Sequence, residues 1–316
     1  VVPAFAKVNL GLEVLRARED GFHELRTLFQ TVDLHDRIRL RPHGTSVLVR
    51  CRHPGVPEGE ANLAWRAADA LRRFGGVRQG VEIEIDKRIP VAGGLGGGSS
   101  DAAAVLLALD GCWRLGLGAH GLHPLARRLG ADVPYFLVGG TALGLGRGDE
   151  VYPLRRQVKA ELVVVDPGLP VSTAAVFARL AARLVPRDDS RTIFRFVAGG
   201  LRGPMPFAAL GNDLEPAALE EAPELAAKLA RIRGILVGEG VLQTLLSGSG
   251  SSCFGIFGDA RSATRARAAL GRAGLRAHRC RTLSLDQYRR IWSRSLGATS
   301  RARGWDQGKE RQHGDH

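Results

Sequence analysis

The chain has 316 residues, 44% of them hydrophobic, with 45 Lys and Arg against 32 Asp and Glu for a net charge of +13. That composition accommodates two domains with ordinary buried cores and excludes disorder of the bulk of the chain. No apolar run approaches the ~20 residues of a membrane span, no basic-then-apolar leader opens the sequence, and Cys51, Cys112, Cys253 and Cys280 form no CxxC pair, so the expectation is a cytoplasmic protein with reduced thiols and no zinc site. The arginines are dispersed and aromatics are few. No stacking platform for a nucleic-acid strand is suggested, whereas a polyphosphate substrate would benefit from the positive field.

In chain order, Val8, Leu10, Leu12 and Val14 alternate with Lys7, Asn9, Gly11 and Glu13. Period two predicts a strand with one buried face and puts Lys7 and Asn9 together on the other. After a polar turn over Arg18 to Gly21, Ile38 and Leu40, then Val47 and Val49, read as short strands. Leu63, Ala67, Leu71 and Phe74 recur at helical spacing, which predicts an amphipathic helix over 62–74 with Asn62 at its N-cap. Val81, Ile83 and Ile85 predict a strand running into Lys87, Pro90 and a glycine-serine loop. A helix over 100–109 follows, capped by Ser99 or Ser100, with Asp101 in its first turn complementing the dipole. Further expectations are a helix over 122–129, a hairpin of 136–138 and 141–145 around Gly139-Gly140, a buried strand over 162–165, helices over 172–184 and around Leu225 to Ile232, a second glycine-serine loop from Ser247 to Ser252, an apolar run from Cys253 to Phe257, a surface helix over 260–273 and an edge strand over 277–283. The polar stretch from Tyr152 to Lys159 divides an N-terminal domain, 1–158, from a C-terminal domain, 159–294, and the polar residues 295–316 read as a disordered tail.

The loop Gly93-Gly94-Leu95-Gly96-Gly97-Gly98-Ser99-Ser100 falls between a strand and a helix. Glycines permit positive φ and close approach to a ligand. Consecutive N–H groups and the helix N-terminus then favour an anion, and the serines add hydroxyl donors. The competing reading, a flexible linker, fits the placement less well. The loop is neither a GxxxxGK[ST] phosphate loop nor a dinucleotide fingerprint.

The stretch from Pro90 to Ala103 resembles the ATP loop of the GHMP kinases, the family of galactokinase, homoserine, mevalonate and phosphomevalonate kinases. Ala6-Lys7-Val8-Asn9-Leu10, Asp20-Gly21-Phe22-His23-Glu24-Leu25, Asn62-Leu63, Asp86 to Pro90, Leu129 to Pro134 followed by Phe136, and Leu246 to Gly250 fall in the order found in one branch of that family, which phosphorylates the 2-hydroxyl of a diphosphocytidyl-methylerythritol in the non-mevalonate route to isoprenoid precursors. The resemblance spans about residues 4–283. It implies an α+β, two-domain GHMP kinase fold, with an N-terminal domain like ribosomal protein S5 domain 2 and a ferredoxin-like C-terminal domain, and an active site between them. The alternatives are a GHMP kinase for homoserine or mevalonate, and an S5-like RNA-binding protein.

The resemblance implies Asp132 as the base that accepts the alcohol proton, where the bland reading is an aspartate at the turn before Pro134. It pairs Lys7 with Asp132, and places Asn9 on the substrate hydroxyls, Phe22 and His23 on the cytosine, and Phe177 as an opposing aromatic, a residue type that also serves as core. Many members carry Tyr where this chain has Phe22, so the ring face is kept and a hydroxyl lost. Thr173 is assigned to the methylerythritol or a phosphate, with Ser172 competing. Asn62 and Lys87 fall at adenosine contacts, the former also suiting a cap, and Gly93, Gly94, Leu95, Gly96, Gly97, Gly98, Ser99 and Ser100 form the ATP loop. Ala92 stands where some members have another glycine. ATP implies Mg²⁺, for which no ligand is identified. A small-molecule substrate, no nucleic acid, no membrane, and a monomer or weak homodimer complete the expectation.

Overall fold

β1 (Val2–Ala17) and β2 (His23–Pro42) form one long antiparallel hairpin whose register pairs Lys7 with Thr31, Asn9 with Phe29 and Leu12 with Thr27. Irregularities between Phe5 and Lys7 and between Asn9 and Gly11 bracket the Lys7–Asn9 pair. Such bulges re-aim side chains and sharpen the local twist. The short strand expected at Ile38 and Leu40 is thus the far end of a strand twenty residues long.

The computed structural model describes residues 1–181, 193, 197 and 207–299. After the hairpin come β3 (Val47–Cys51), α1 (Leu63–Phe74), β4 (Val81–Asp86), α2 (Gly97–Cys112), α3 (Gly118–Leu129), α4 (Val133–Val138), β5 (Thr141–Gly146) and β6 (Glu150–Pro153). There follow β7 (Glu161–Asp166), α5 (Thr173–Ala181), α6 (Glu215–Glu221), α7 (Pro223–Gly238), β8 (Gln243–Leu246), β9 (Cys253–Phe257), α8 (Ala260–Arg272), β10 (Arg276–Arg281) and α9 (Leu285–Thr299). The first sheet runs β3-β4-β2-β5-β6 with β1 paired to β2, and the second β10-β7-β9-β8. Residues 182–184 of the helix expected over 172–184 lie outside the described residues.

The two sheets lie between helical layers. β7 shows why: Val163 and Val165 pack with Val176, Leu225, Leu229 and Ala266 of the helices, while Leu162 and Val164 pack with Ala6, Val8, Leu10 and Leu28 of the first sheet. Both faces are covered, so the strand reads as a continuous apolar run. On the far side of the first sheet, Ile38, Ile83 and Ile85 pack against Ala67 and Leu71 of α1 and the alanine-rich face of α2. Each fully buried Val, Leu or Ile contributes roughly 1.5–3 kcal/mol before chain entropy is subtracted.

Several local expectations are corrected. Residues 136–138 are the end of helix α4, since Pro134 sits in its first turn and the Tyr135 and Phe136 rings are buried. Helix α2 begins at Gly97, within the glycine run. α9 continues through 295–299, expected in the tail, and its Tyr288 and Trp292 join Leu283 in the core of the first sheet. The chain therefore returns to its N-terminal half at the end, and the first core is not built from 1–158 alone. Residues 300–316 lie outside those described.

Candidate active site

Gly96 starts α2 in the left-handed conformation, φ 70°, with no side chain capping the helix. The first N–H groups are therefore left for an anion. The loop is held by the second glycine-serine loop: Ser247 Oγ donates to the Gly94 carbonyl at 3.0 Å, and the Ser252 N–H donates to the Gly93 carbonyl at 3.2 Å. A Cβ at Gly94 would lie 2.0 Å from the Ser247 carbonyl oxygen, and one at Gly96 would lie 2.7 Å from the Phe136 ring. Glycine is required by these close approaches, to backbone at Gly94 and to a ring at Gly96, as much as by φ. Asn212 fixes the supporting loop from behind, donating to the carbonyls of Leu246 (2.9 Å) and Gly248 (2.7 Å).

The phosphate loop separates two cavities. One, of about 360 Å³, is lined by Asn62, Leu63, Lys87, Asp101 and the run from Pro90 to Ser99. The other, of about 800 Å³, is lined by Lys7, Asn9, Phe22, His23, Thr27, Asp132, Arg147, Thr173, Phe177, Gly248 and Ser249. Gly94, Gly96 and Ser99 belong to both walls.

Lys7 and Asp132 meet in the larger cavity. Lys7 Nζ lies 3.5 Å from Asp132 Oδ2 and 2.6 Å from Asn9 Oδ1, with the lysine buried and the aspartate open to the cavity. Asp132 precedes α4 but makes no side-chain capping bond, so its carboxylate is free for the cavity. A polar chain holds Lys7 in place: Asn9 Nδ2 donates to Thr27 Oγ1 (2.7 Å), and Thr27 Oγ1 donates to the Gly11 carbonyl (2.9 Å). Both ends of the Asn9 amide are thereby engaged. The Lys7 N–H donates to the Leu95 carbonyl at 3.0 Å, tying β1 to the phosphate loop.

At the opposite end, His23 stacks on Phe177 with ring centroids 5.0 Å apart, and burial holds its pKa below the ordinary value. His23 Nε2 is buried without a hydrogen-bond partner. Phe22 is half exposed, and the Arg147 guanidinium lies 4.6 Å from its ring centroid. The pair expected to face each other, Phe22 and Phe177, is thus engaged by Arg147 and His23 respectively. Thr173 Oγ1 pairs with Ser249 Oγ at 2.7 Å, joining α5 to the second loop, while Ser172 Oγ accepts from the Ala175 N–H.

Other expected residues are also engaged within the fold. Ser100 is buried and its hydroxyl donates to the Phe5 carbonyl at 2.6 Å, which withdraws it from the phosphate side. The Leu95 side chain lies in the core between the sheets. Asn62 caps α1 by accepting from the Ala64 N–H and donates to the Pro57 carbonyl, so its position at the cavity wall is combined with a full structural role. Lys87 reaches under the loop to two carboxylates, Asp36 and Asp101. Thr27, Arg147 and Asn212 carry no local motif. Thr27 could have been found by pairing the two hairpin strands, and the other two by no signal short of the fold.

Two sheets between helices, with paired glycine loops at their junction, define a class: residues 62–140 match the GHMP kinases N terminal domain and residues 204–276 match GHMP kinases C terminal. A 4-diphosphocytidyl-2-C-methyl-D-erythritol kinase of Pelotomaculum thermopropionicum is 42% identical over 267 residues, covering 84% of this chain and 91% of its own length. One from Geobacter metallireducens is 44% identical over 256 residues, covering 80% and 87%. A crystal structure of 4-(cytidine 5'-diphospho)-2C-methyl-D-erythritol kinase superposes with a TM-score of 0.72 at 40% identity, over 89% of this chain and 98% of that one. The chain belongs to the family of the 4-diphosphocytidyl-2-C-methyl-D-erythritol kinases.

Proposed function

We propose that the protein transfers the γ-phosphoryl group of ATP to the 2-hydroxyl of 4-diphosphocytidyl-2-C-methyl-D-erythritol, a step of the non-mevalonate route to isoprenoid precursors. The observation that carries the assignment of roles is the Lys7–Asp132 contact in a cavity that shares Gly94, Gly96 and Ser99 with the cavity on the other side of the loop. ATP bound along the glycine run from the smaller side reaches this wall with its terminal phosphate. An acceptor held from the larger side presents its hydroxyl between Lys7 and Asp132.

Asp132 Oδ accepts the hydroxyl proton as the alcohol oxygen forms its bond to the γ-phosphorus and the bond to the β,γ-bridging oxygen breaks, leaving ADP. General-base assistance of this kind is worth ~10²–10⁴-fold. Lys7 offsets negative charge on the transferring group, and Asn9 and Thr27 keep its ammonium in place. The cytosine enters beside Phe177 and His23, whose unpartnered Nε2 provides a polar contact for the base edge. Arg147 stands at the same end for the diphosphate.

Among the described residues no group of three His, Cys, Asp or Glu could hold a metal ion. This fits Mg²⁺ carried by the nucleotide, which takes phosphate oxygens and water and needs few protein ligands. The Ser99 hydroxyl, on the wall common to both cavities, is the donor suited to it. The ion supplies charge neutralisation on the phosphates.

Coupled ADP release measured over diphosphocytidyl-methylerythritol, mevalonate and homoserine tests the reading. Turnover confined to the cytidine compound is expected. Turnover of mevalonate or homoserine with no binding of CDP would replace the proposed acceptor.

A further inference from the structure

Arg147 lies in the turn that joins β5 to β6, which is closed by the Leu145–Glu150 register and by the Gly148 N–H donating to the Leu145 carbonyl at 2.9 Å. Gly146 (φ 66°) and Gly148 (φ 89°) flank it in the left-handed region, so one long side chain stands between two bare positions. Its guanidinium lies over the Phe22 ring, 4.6 Å from the centroid, and Nη2 donates to Asp149 Oδ2 at 3.0 Å. Arg147 and Gly148 line the larger cavity, whereas Asp149 is 1% exposed and lies behind the wall. The same Oδ2 is also held by Arg127 of α3, whose Nε and Nη2 both reach it at 2.8 Å. Against the cost of its burial, the Asp149 carboxyl is kept below its ordinary value by the hydrogen bonds from Arg147 and Arg127.

An exposed ion pair contributes little, because water competes for both partners and two flexible side chains must be ordered. Here the carboxylate is out of water and already fixed by α3, so it directs the second guanidinium with a charge-assisted hydrogen bond. One carboxylate against two guanidiniums leaves the trio with one positive charge, and Arg147 is the member on the cavity wall. An arginine loses much rotamer freedom when it is fixed. With Asp149 in place that loss falls on folding and not on ligand binding, which is how preorganisation raises affinity.

We propose that Asp149 is a positioning residue for the cytidine substrate, holding the Arg147 guanidinium beside Phe22 before the ligand arrives, in place for the diphosphate. The inference rests on reading the larger cavity as the cytidine diphosphate site. The competing account is purely structural: Asp149 ties α3 to the β5–β6 turn through Arg127, and the direction of Arg147 is of no consequence.

Calorimetric titration of the full chain with CDP separates the two accounts in a double-mutant cycle. Asp149→Asn is expected to raise the CDP Kd by about tenfold and to leave the ATP Kd near native. In an Arg147→Ala background, where nothing remains to be positioned, the same substitution should add less than about twofold. An equal factor in both backgrounds makes Asp149 merely structural and overturns the inference, as does an unchanged CDP Kd in Asp149→Asn. Absence of CDP binding by the native protein overturns the reading of the cavity and the inference with it. If Asp149→Asn does not fold, ¹⁵N relaxation of Arg147 Nε in the native protein, assigned through Arg147→Lys, decides. A side chain ordered before CDP is added is expected, and one that becomes ordered only with CDP overturns the inference.

Discussion

Lys7 Nζ stands 3.5 Å from Asp132 Oδ2, with the lysine at the centre of a long strand and the aspartate ahead of a short helix. Only the fold brings them together. In Asp132→Asn the amide keeps the shape and loses the proton acceptor. Turnover should fall by about 10²–10⁴-fold, with ATP and CDP dissociation constants near native by calorimetry. Near-native turnover would remove Asp132 from the proton-accepting role.

Asn9 reaches Lys7 at 2.6 Å and Thr27 at 2.7 Å, so Asn9→Ala unties the ammonium from the sheet. A hydrogen bond to a charged group is worth about 1.5–3 kcal/mol, and the loss should show as reduced kcat with a smaller change in the ATP KM. Asn9→Asp restores an acceptor for Lys7 and should recover part of kcat. An unchanged kcat in Asn9→Ala would mean that Lys7 needs no such support.

Two small changes in the phosphate loop should act in opposite directions. Ala92 has φ 56°, a left-handed conformation costing an L-residue roughly 1–2 kcal/mol. Ala92→Gly should therefore be neutral or stabilising in thermal unfolding. Gly94→Ala would put a Cβ 2.0 Å from the Ser247 carbonyl oxygen, forcing the two loops apart, and should weaken ATP binding as well as lower Tm. Equal effects of the two substitutions would contradict the packing.

Burial keeps the His23 ring neutral, with its pKa lowered from 6.5. The folded state then binds fewer protons there than the unfolded chain. The stabilising contribution is present above pH 6.5 and is lost as pH falls through the lowered native value. CDP affinity should decline over the same acidic window, and Phe177→Ala, which removes the ring stacked on His23, should raise the KM for the cytidine substrate while leaving that for ATP. NMR titration of His23 above 6.5 would reject the assignment.

What could be read from the sequence follows from how local each signal is. The glycine loop, Asn62 as a cap and the strand–helix alternation depend on near neighbours, and the structure has them in place. Ser100 looks like a ligand contact from the motif, but its hydroxyl goes to the Phe5 carbonyl, distant in sequence, and Lys87, at the wall of the smaller cavity, is also tied to Asp36 and Asp101. Phe136 to Val138 look like strand residues because they are bulky and apolar, and end helix α4, which Pro134 opens. Arg147 follows a strand end with nothing to distinguish it from other surface arginines. Only the return of β5 beside the hairpin puts it over Phe22.

The wall that Gly94, Gly96 and Ser99 contribute to both cavities has a consequence for inhibitor chemistry. With so little chain between the chambers, an adenosine fragment and a cytidine fragment joined by a short polyphosphate tether would span them as one molecule. Tethering turns the second docking event into an intramolecular one at an effective concentration in the millimolar range, and can multiply affinity by about 10²–10⁴ without a new contact.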